Sequence, residues 1–400
     1  MKKMRFLYTS VLLLCAALAL TVLVSCGDSS NGLPKLGKIK VTEERYYQAE
    51  KMKAYTYIYP SEDPSGRQVM LSAVITVGDN VTETNPAKAL ILYNHATIYG
   101  ADECPSKSDL TEQKGIASYG FSVITISPDY YGFGNTEDKN QAYCIGSVNA
   151  QGSVDALLAA KKLLPHLGYS YYGNKLFNVG YSQGGQTAMA VVKLVRQKYP
   201  EINLTRTFAG AGPYDITAVY DDFIQSKTSD LPSTVVNVFL SYNEFYNLGI
   251  KNEELFKGEL LLNIDSWFLS KKKSLNDIES LIGTKDLTSL CTAAALDKTS
   301  EIGKKFQEAF KKDAVTQGWT PQADESIYLF HCKNDETVPV STTEKLVEFL
   351  KENGVAESTD ASQGVYVHFD ETAGKPYHQN AAVTFISAAG MQLMKLLMSN

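Results

Sequence analysis

The chain is poor in the residues that build metal and redox centres. It carries six cysteines and five histidines in 400 residues, and no Cys-x-x-Cys or His-x-x-x-His spacing occurs among them, so no metal centre is expected. It also lacks an excess of basic charge: 38 Lys and Arg stand against 44 Asp and Glu, a net charge of −6. That excludes the phosphate-facing surface a nucleic-acid binder needs. No internal repeat, low-complexity tract or propeller-sized N-terminal domain is visible, and nothing points to a cofactor. Tryptophan is scarce, with 2, while tyrosine is abundant, with 24; most of those rings are expected as half-buried strand residues.

What is present begins at the N-terminus. A basic start, Met1-Lys2-Lys3-Met4-Arg5, precedes an apolar run over 6–24 that ends in Leu23-Val24-Ser25-Cys26-Gly27, the layout of a secretory signal. The Leu-x-Ser-Cys ending resembles the lipobox of bacterial lipoproteins. That resemblance implies cleavage after residue 25 and a lipid on Cys26, holding the protein to the periplasmic or surface side of a bacterial membrane. An uncleaved anchor is the other reading, since a run of about 19 residues just spans a bilayer. Residues 26–45 then read as a tether, its first part rich in Ser, Gly, Asn and Pro. Cys104, Cys144, Cys291 and Cys332 remain. In an oxidising compartment they allow three pairings. Cys104 and Cys144 follow predicted strands in neighbouring loops and form the favoured disulfide, with four free buried thiols as the alternative.

Further along, residues 54–60 and 68–77 are β-rich with Ser65-Gly66 between them, and 89–94 and 121–127 are short apolar runs of the fully buried kind. Helix 148–164, strand 175–181, helix 186–198 and strand 206–211 follow. This alternation predicts an α/β fold with a doubly wound sheet. From 214 to 324 the rhythm breaks into short helical patterns, and βα alternation returns with strand 326–332, helix 342–353, strand 364–369 and a last helix over 381–397. The layout predicts a core of 46–213 and 325–400 with a helical cap, 214–324, inserted after the sixth strand. The aromatic content of 239–246 argues against a disordered linker there.

Gly180-Tyr181-Ser182-Gln183-Gly184 lies between the predicted strand 175–181 and the helix after it. So tight a strand–turn–helix junction strains the central residue, and glycine on either side removes the Cβ atoms that would clash. A serine presented this way is a candidate nucleophile, which needs a base and an acid to orient that base. Together with Gly185, the segment Gly210-Ala211-Gly212-Pro213-Tyr214-Asp215 and a helical stretch after it, the chain resembles the α/β-hydrolases. It is similar in particular to the secretory lipase family, over about 54–213 and 326–397. The resemblance implies an α/β-hydrolase fold with a mostly parallel sheet.

It also implies an order of nucleophile, acid, then histidine. Ser182 is the nucleophile. Asp335 is the acid, in Asn334-Asp335-Glu336-Thr337-Val338-Pro339 after the strand that follows the insertion, with Glu336 in reserve. Of the histidines, His166 precedes the nucleophile and His331 lies too near the acid in sequence. His368 falls within a strand, where packing is its default role, and His378 lies in a loop before the last helix and is the expected base. An oxyanion hole would take the backbone N–H of Gln183 and one from Asn94-His95-Ala96-Thr97, either Thr97 or Ala96. Tyr130 and Tyr131, in an Asp-Tyr-x-Gly-x-Gly turn, either line the substrate pocket or pack in the turn.

The implied function is a serine carboxylic-ester hydrolase acting on a small-molecule or lipid ester through an acyl-enzyme. A serine peptidase of the prolyl or aminopeptidase type shares the triad, and Asp221-Asp222 or Glu253-Glu254 would then anchor a peptide terminus unless they are ordinary surface carboxylates. A non-catalytic surface binding lipoprotein is the third reading, against which stand the intact triad positions. The Arg-Gly-Gln-Gly segment of carbohydrate acetyl esterases is missing.

Overall fold

The protein is described by a computed structural model covering residues 33–63, 65–118 and 120–398. Its β-rich and short apolar runs form one sheet: β1 Lys35–Leu36, β2 Ile39–Tyr47, β3 Met52–Glu62, β4 Gln68–Gly78, β5 Ala89–Asn94, β6 Val123–Pro128, β7 Leu176–Tyr181, β8 Arg206–Gly210, β9 Ile327–Cys332 and β10 Val365–Asp370. The strand order is β1-β2-β3-β4-β6-β5-β7-β8-β9-β10. From β6 to β10 neighbours run parallel, and β1 to β4 form an antiparallel flank joined to β6. The buried runs of β5, β6, β7 and β9 fit strands covered on both faces.

Helices α1 Thr111–Ser118, α2 Gly146–Leu163 and α3 Gln183–Lys198 alternate with these strands; α4 Ile216–Ser226, α5 Pro232–Phe245, α6 Asn252–Leu255, α7 Gly258–Ile264, α8 Leu275–Ile282, α9 Leu287–Leu290 and α10 Glu301–Asp313 fill the insertion. Helices α11 Ser341–Glu352 and α12 Tyr377–Met398 complete the core. On one face of the sheet, Val154, Leu157, Val191 and Val195 of α2 and α3 pack with Leu346 of α11 against Ile75, Leu90 and Leu329. On the other, Phe385, Ala389 and Leu393 of α12 and Ile116 of α1 pack against Ile91, Phe177, Phe208 and Phe330. Each buried Leu, Ile or Phe contributes about 2 kcal/mol, so both faces are firmly held. This is the α/β sheet with helices on both faces expected from the alternation, in the α/β-hydrolase architecture that the resemblance implies.

Two expectations need correction. Residues 26–45 are not a tether throughout, because β1 and most of β2 lie within them. Ile39 and Val41 alternate inward while Lys40 between them and Glu43 and Glu44 beyond face out; two apolar residues among charges were too few to read as a strand. In consequence the insertion follows the eighth strand, β8, not the sixth. The signal region 1–25, Cys26 and the start of the tether lie outside the described residues.

The insertion has a core of its own. Phe239 packs on Phe306 with ring centroids 4.8 Å apart and Tyr242 on Phe310 at 4.7 Å, and Tyr99, Tyr143 and Ile145 from the loops of the sheet join it. Asp313, at the end of α10, accepts from the N–H of Gly146 at 2.6 Å and of Ser147 at 3.1 Å, and from Tyr242 Oη at 3.2 Å. It therefore caps the N-terminus of α2, where the helix dipole favours a carboxylate. Burial pushes its carboxyl upward, partly countered by these donors.

Candidate active site

The segments that follow β5, β7, β9 and β10 supply the site. At the end of β7 the chain turns at Ser182 with φ 57° and ψ −123°, a conformation costing on the order of 1–3 kcal/mol for a residue with a side chain. The turn is held by the Ser182 N–H donating to Gly210 O at 2.8 Å and by Gln186 N–H donating to Ser182 O at 3.1 Å. The glycines are there for close approach: a Cβ on Gly180 would overlap the Gly184 carbonyl, and one on Gly184 would overlap the carbonyls of Asn94 and His95. That second contact lays the loop after β5 directly on the elbow. Below it, Asn94 Nδ2 donates to Asn178 Oδ1 at 2.8 Å and Ser153 Oγ donates to Asn94 Oδ1 at 2.9 Å, tying β5, β7 and α2 together.

Ser182, Asp335 and His378, far apart in sequence, meet here. His378 Nδ1 is 2.6 Å from Asp335 Oδ2, and His378 Nε2 is 2.8 Å from Ser182 Oγ. With Nδ1–H donated to the carboxylate, Nε2 carries the lone pair and accepts from the serine hydroxyl. The other carboxylate oxygen, Asp335 Oδ1, accepts from the N–H of Thr337 at 2.9 Å and of Val338 at 2.8 Å. Burial works to raise the Asp335 carboxyl, but the imidazole of His378 and the hydrogen bonds of His331 and His378 outweigh it, holding the group well below the usual carboxylate range.

The expected loop position of His378 needs correction: it lies in the first turn of α12, which begins four residues earlier than periodicity indicated. The extra turn forms because Glu336 Oε2 accepts from the N–H of Tyr377 at 3.0 Å and of His378 at 3.4 Å, satisfying helix-end donors from outside the helix. Glu336, the reserve acid, thus holds backbone and not the imidazole. His368 stacks on Phe330, centroids 5.3 Å apart, on β10.

Around the elbow, Gln183 opens α3, and an N–H in a first helical turn has no intrahelical acceptor. In the β5 loop, His95 Nδ1 is 2.7 Å from Ala96 O and Nε2 is 3.2 Å from Asp129 O, while Thr97 Oγ1 is 3.1 Å from Tyr143 Oη. Burial pushes the His95 imidazole downward, favouring the neutral ring. Tyr130 is corrected: it is only 2 % exposed, its ring lies 4.0 Å from that of His95 and its hydroxyl donates to His95 O at 3.2 Å. It supports the β5 loop from beneath instead of lining a pocket. Tyr131 is half-buried and packs edge-on against Phe245 of α5 at 5.7 Å.

The expected Cys104–Cys144 disulfide is absent, and both thiols are free and buried. Cys104 Sγ donates to Ala101 O at 3.3 Å, whereas Cys144 packs into the insertion core. Burial pushes the Cys104 thiol up to about 12. The acid pairs considered as peptide anchors have local partners: Asp221 bonds Lys298 Nζ at 2.9 Å, and Glu254 accepts from Lys251 N–H at 2.9 Å.

Sequence reasoning missed two residues. Tyr181, the variable position of the motif, donates its hydroxyl to His378 O at 2.6 Å, and nothing in the sequence signals that. His331, fully buried, has Nε2 2.9 Å from Val338 O and 3.5 Å from Asp335 Oδ2, with Nδ1 2.6 Å from Thr343 Oγ1. Its place four residues before the acid was the available hint.

A sequence model described as secretory lipase matches residues 108–389. No curated protein sequence matches the chain. Among solved structures, the chain is similar to the rice cell wall degrading esterase LipA from Xanthomonas oryzae, with a TM-score of 0.72 and 18 % identity over 89 % of this chain and 96 % of that one. It is also similar to a putative hydrolase from Legionella pneumophila, with a TM-score of 0.71 and 19 % identity over 88 % and 90 % of the two chains. Candida antarctica lipase A in its closed state gives 0.63 and 14 % over 88 % and 82 %. These three share the fold.

Proposed function

The chain belongs to the secretory lipase family and is a carboxylic ester hydrolase, and from that premise we propose that Ser182, His378 and Asp335 perform the hydrolysis through an acyl-enzyme. The observation that carries this is the hydrogen-bonded line from Asp335 through His378 to Ser182, at 2.6 and 2.8 Å.

Ser182 Oγ attacks the ester carbonyl carbon as His378 Nε2 takes its proton, and Asp335 stabilises the imidazolium without itself becoming protonated. The carbonyl oxygen becomes an oxyanion facing the N–H of Gln183 and that of Thr97 or Ala96. Collapse expels the alcohol, which leaves with the proton from His378. Water, deprotonated by the same Nε2, then attacks the acyl-serine; the acid is released and Ser182 regains its proton. The helical insertion acts as the cap that supplies the acyl or alcohol pocket. Export, with lipid attachment at Cys26 to a bacterial membrane, completes the proposal and rests on the N-terminal sequence.

Steady-state hydrolysis of p-nitrophenyl esters, beside aminoacyl-p-nitroanilides, tests it. The proposal expects ester turnover that falls by roughly 10⁴-fold or more in Ser182→Ala and His378→Ala. Turnover of anilides alone, or ester turnover unaffected by Ser182→Ala, contradicts it.

A further inference from the structure

The histidine of the proposed triad is gripped by its backbone as well as by its ring. Tyr181 Oη donates to the carbonyl oxygen of His378 at 2.6 Å, and the two rings lie 5.3 Å apart. From the other side, Glu336 Oε2 receives the N–H groups of Tyr377 and His378 at 3.0 and 3.4 Å. Both residues adjoin the triad in sequence: Tyr181 immediately precedes Ser182, and Glu336 immediately follows Asp335. The turns that present the nucleophile and the acid therefore each send a second side chain to the backbone of the base.

Such a grip has a physical purpose here. His378 lies in the first turn of α12, and first turns fray because their N–H groups lack intrahelical acceptors. The helix is packed from one side only: Ala381, Phe385 and Ala389 are buried, while Val383, Ile386 and Met391 are 64 %, 47 % and 56 % exposed. An imidazole carried on a loose turn would wander from both hydrogen bonds, and displacement of a catalytic group by about 1 Å can cost on the order of 10²-fold in rate. A carboxylate at this helix N-terminus is favoured by the dipole. Tyr181 is 8 % exposed and packs tilted against Phe385 with ring centroids 5.5 Å apart, so its hydroxyl is aimed by packing.

We propose that Tyr181 and Glu336 are positioning residues forming a backbone clamp on His378, one tied to the nucleophile and one to the acid. The clamp rests on the triad reading. It acts on the rate of the chemical steps and leaves substrate binding alone, since neither residue is assigned to the substrate.

The test uses the full-length protein with p-nitrophenyl butyrate, measuring kcat and KM separately, with melting temperature and the low-field Nδ1–H proton resonance of His378 as controls on fold and site. Tyr181→Phe keeps the packed ring and removes only the hydroxyl; Glu336→Ala removes the acceptor and Glu336→Gln keeps one. The clamp predicts that Tyr181→Phe and Glu336→Ala each lower kcat about 10-fold or more with KM within about twofold. It also predicts a broadened Nδ1–H resonance in both, and that Glu336→Gln recovers most of the loss. Because both residues hold one turn, the double variant should lose less than the product of the single losses. Single variants with kcat within about twofold of the unaltered protein, a change in KM alone, or Glu336→Gln as slow as Glu336→Ala overturn the clamp while an inactive Ser182→Ala leaves the triad standing. Activity surviving in Ser182→Ala overturns the triad, and the clamp with it.

Discussion

At the residue scale, His331 shows how a buried polar side chain braces the turn that carries Asp335. Its two nitrogens engage Thr343 Oγ1 and Val338 O at 2.6 and 2.9 Å, and it borders the buried carboxylate of Asp335 at 3.5 Å. His331→Ala removes a fully buried ring and orphans both partners. We expect a loss of about 2–4 kcal/mol in urea unfolding, together with a lower kcat as the Asp335 turn loosens; a change under about 0.5 kcal/mol would mean that the ring supports nothing. Asp335 carries a pH consequence. Its carboxyl is lowered in the folded state, so the stability it contributes is present above the unfolded value near 4 and is lost as pH falls below it towards the lowered folded value. Asp335→Asn should therefore show a smaller decline in melting temperature than the unaltered protein between about pH 4 and pH 2. Equal declines would contradict the paired, ionised carboxylate.

At the element scale, the elbow and the first turn of α12 are instructive opposites. The elbow was legible because its requirements are local: glycine where a Cβ would overlap a carbonyl, serine between. Gly184→Ala should abolish soluble expression or activity, since its Cβ would meet Asn94 O and His95 O, which are backbone atoms unable to give way. The start of α12 was not legible, because its N–H acceptor, Glu336, is distant in sequence. The same holds for β2, whose Ile39 and Val41 declare a strand only once β3 lies beside them, and for Cys104, whose thiol turns to Ala101 O within its own loop. Asp313 joins the insertion to α2 through Gly146 and Ser147. Asp313→Ala leaves those two donors short of an acceptor, while Tyr242 Oη keeps Cys144 O at 2.9 Å, and should cost about 2–4 kcal/mol by urea unfolding, with Asp313→Asn recovering part of it.

At the scale of the whole molecule, the alternation of buried strands and amphipathic helices disclosed the sheet and the residues of the insertion, whereas the packing inside the insertion depends on which aromatic faces meet and was not readable. One contact between insertion and core makes stability depend on alkaline pH. Lys271 is 4 % exposed; its Nζ donates to Glu137 O at 2.9 Å and to Lys139 O and lies 5.6 Å from the Phe133 ring centre. Burial pushes its ammonium down to about 8, against an upward pull from Glu137. Between about pH 8 and the unfolded value near 10.4 the unfolded chain binds more protons at this site, so its contribution rises with pH. Relative to Lys271→Met, the protein should gain roughly 2 kcal/mol over that window and nothing below about pH 7; a constant difference would contradict the assignment.

The central claim, that Ser182 is the nucleophile activated by His378, is tested most directly by fluorophosphonate labelling with the adduct mapped by peptide mass. The account predicts one covalent adduct, on Ser182, in labelling carried out between about pH 6 and pH 9, absent in Ser182→Ala and strongly slowed in His378→Ala. An adduct on another residue, or none on Ser182 anywhere in that range, would contradict it.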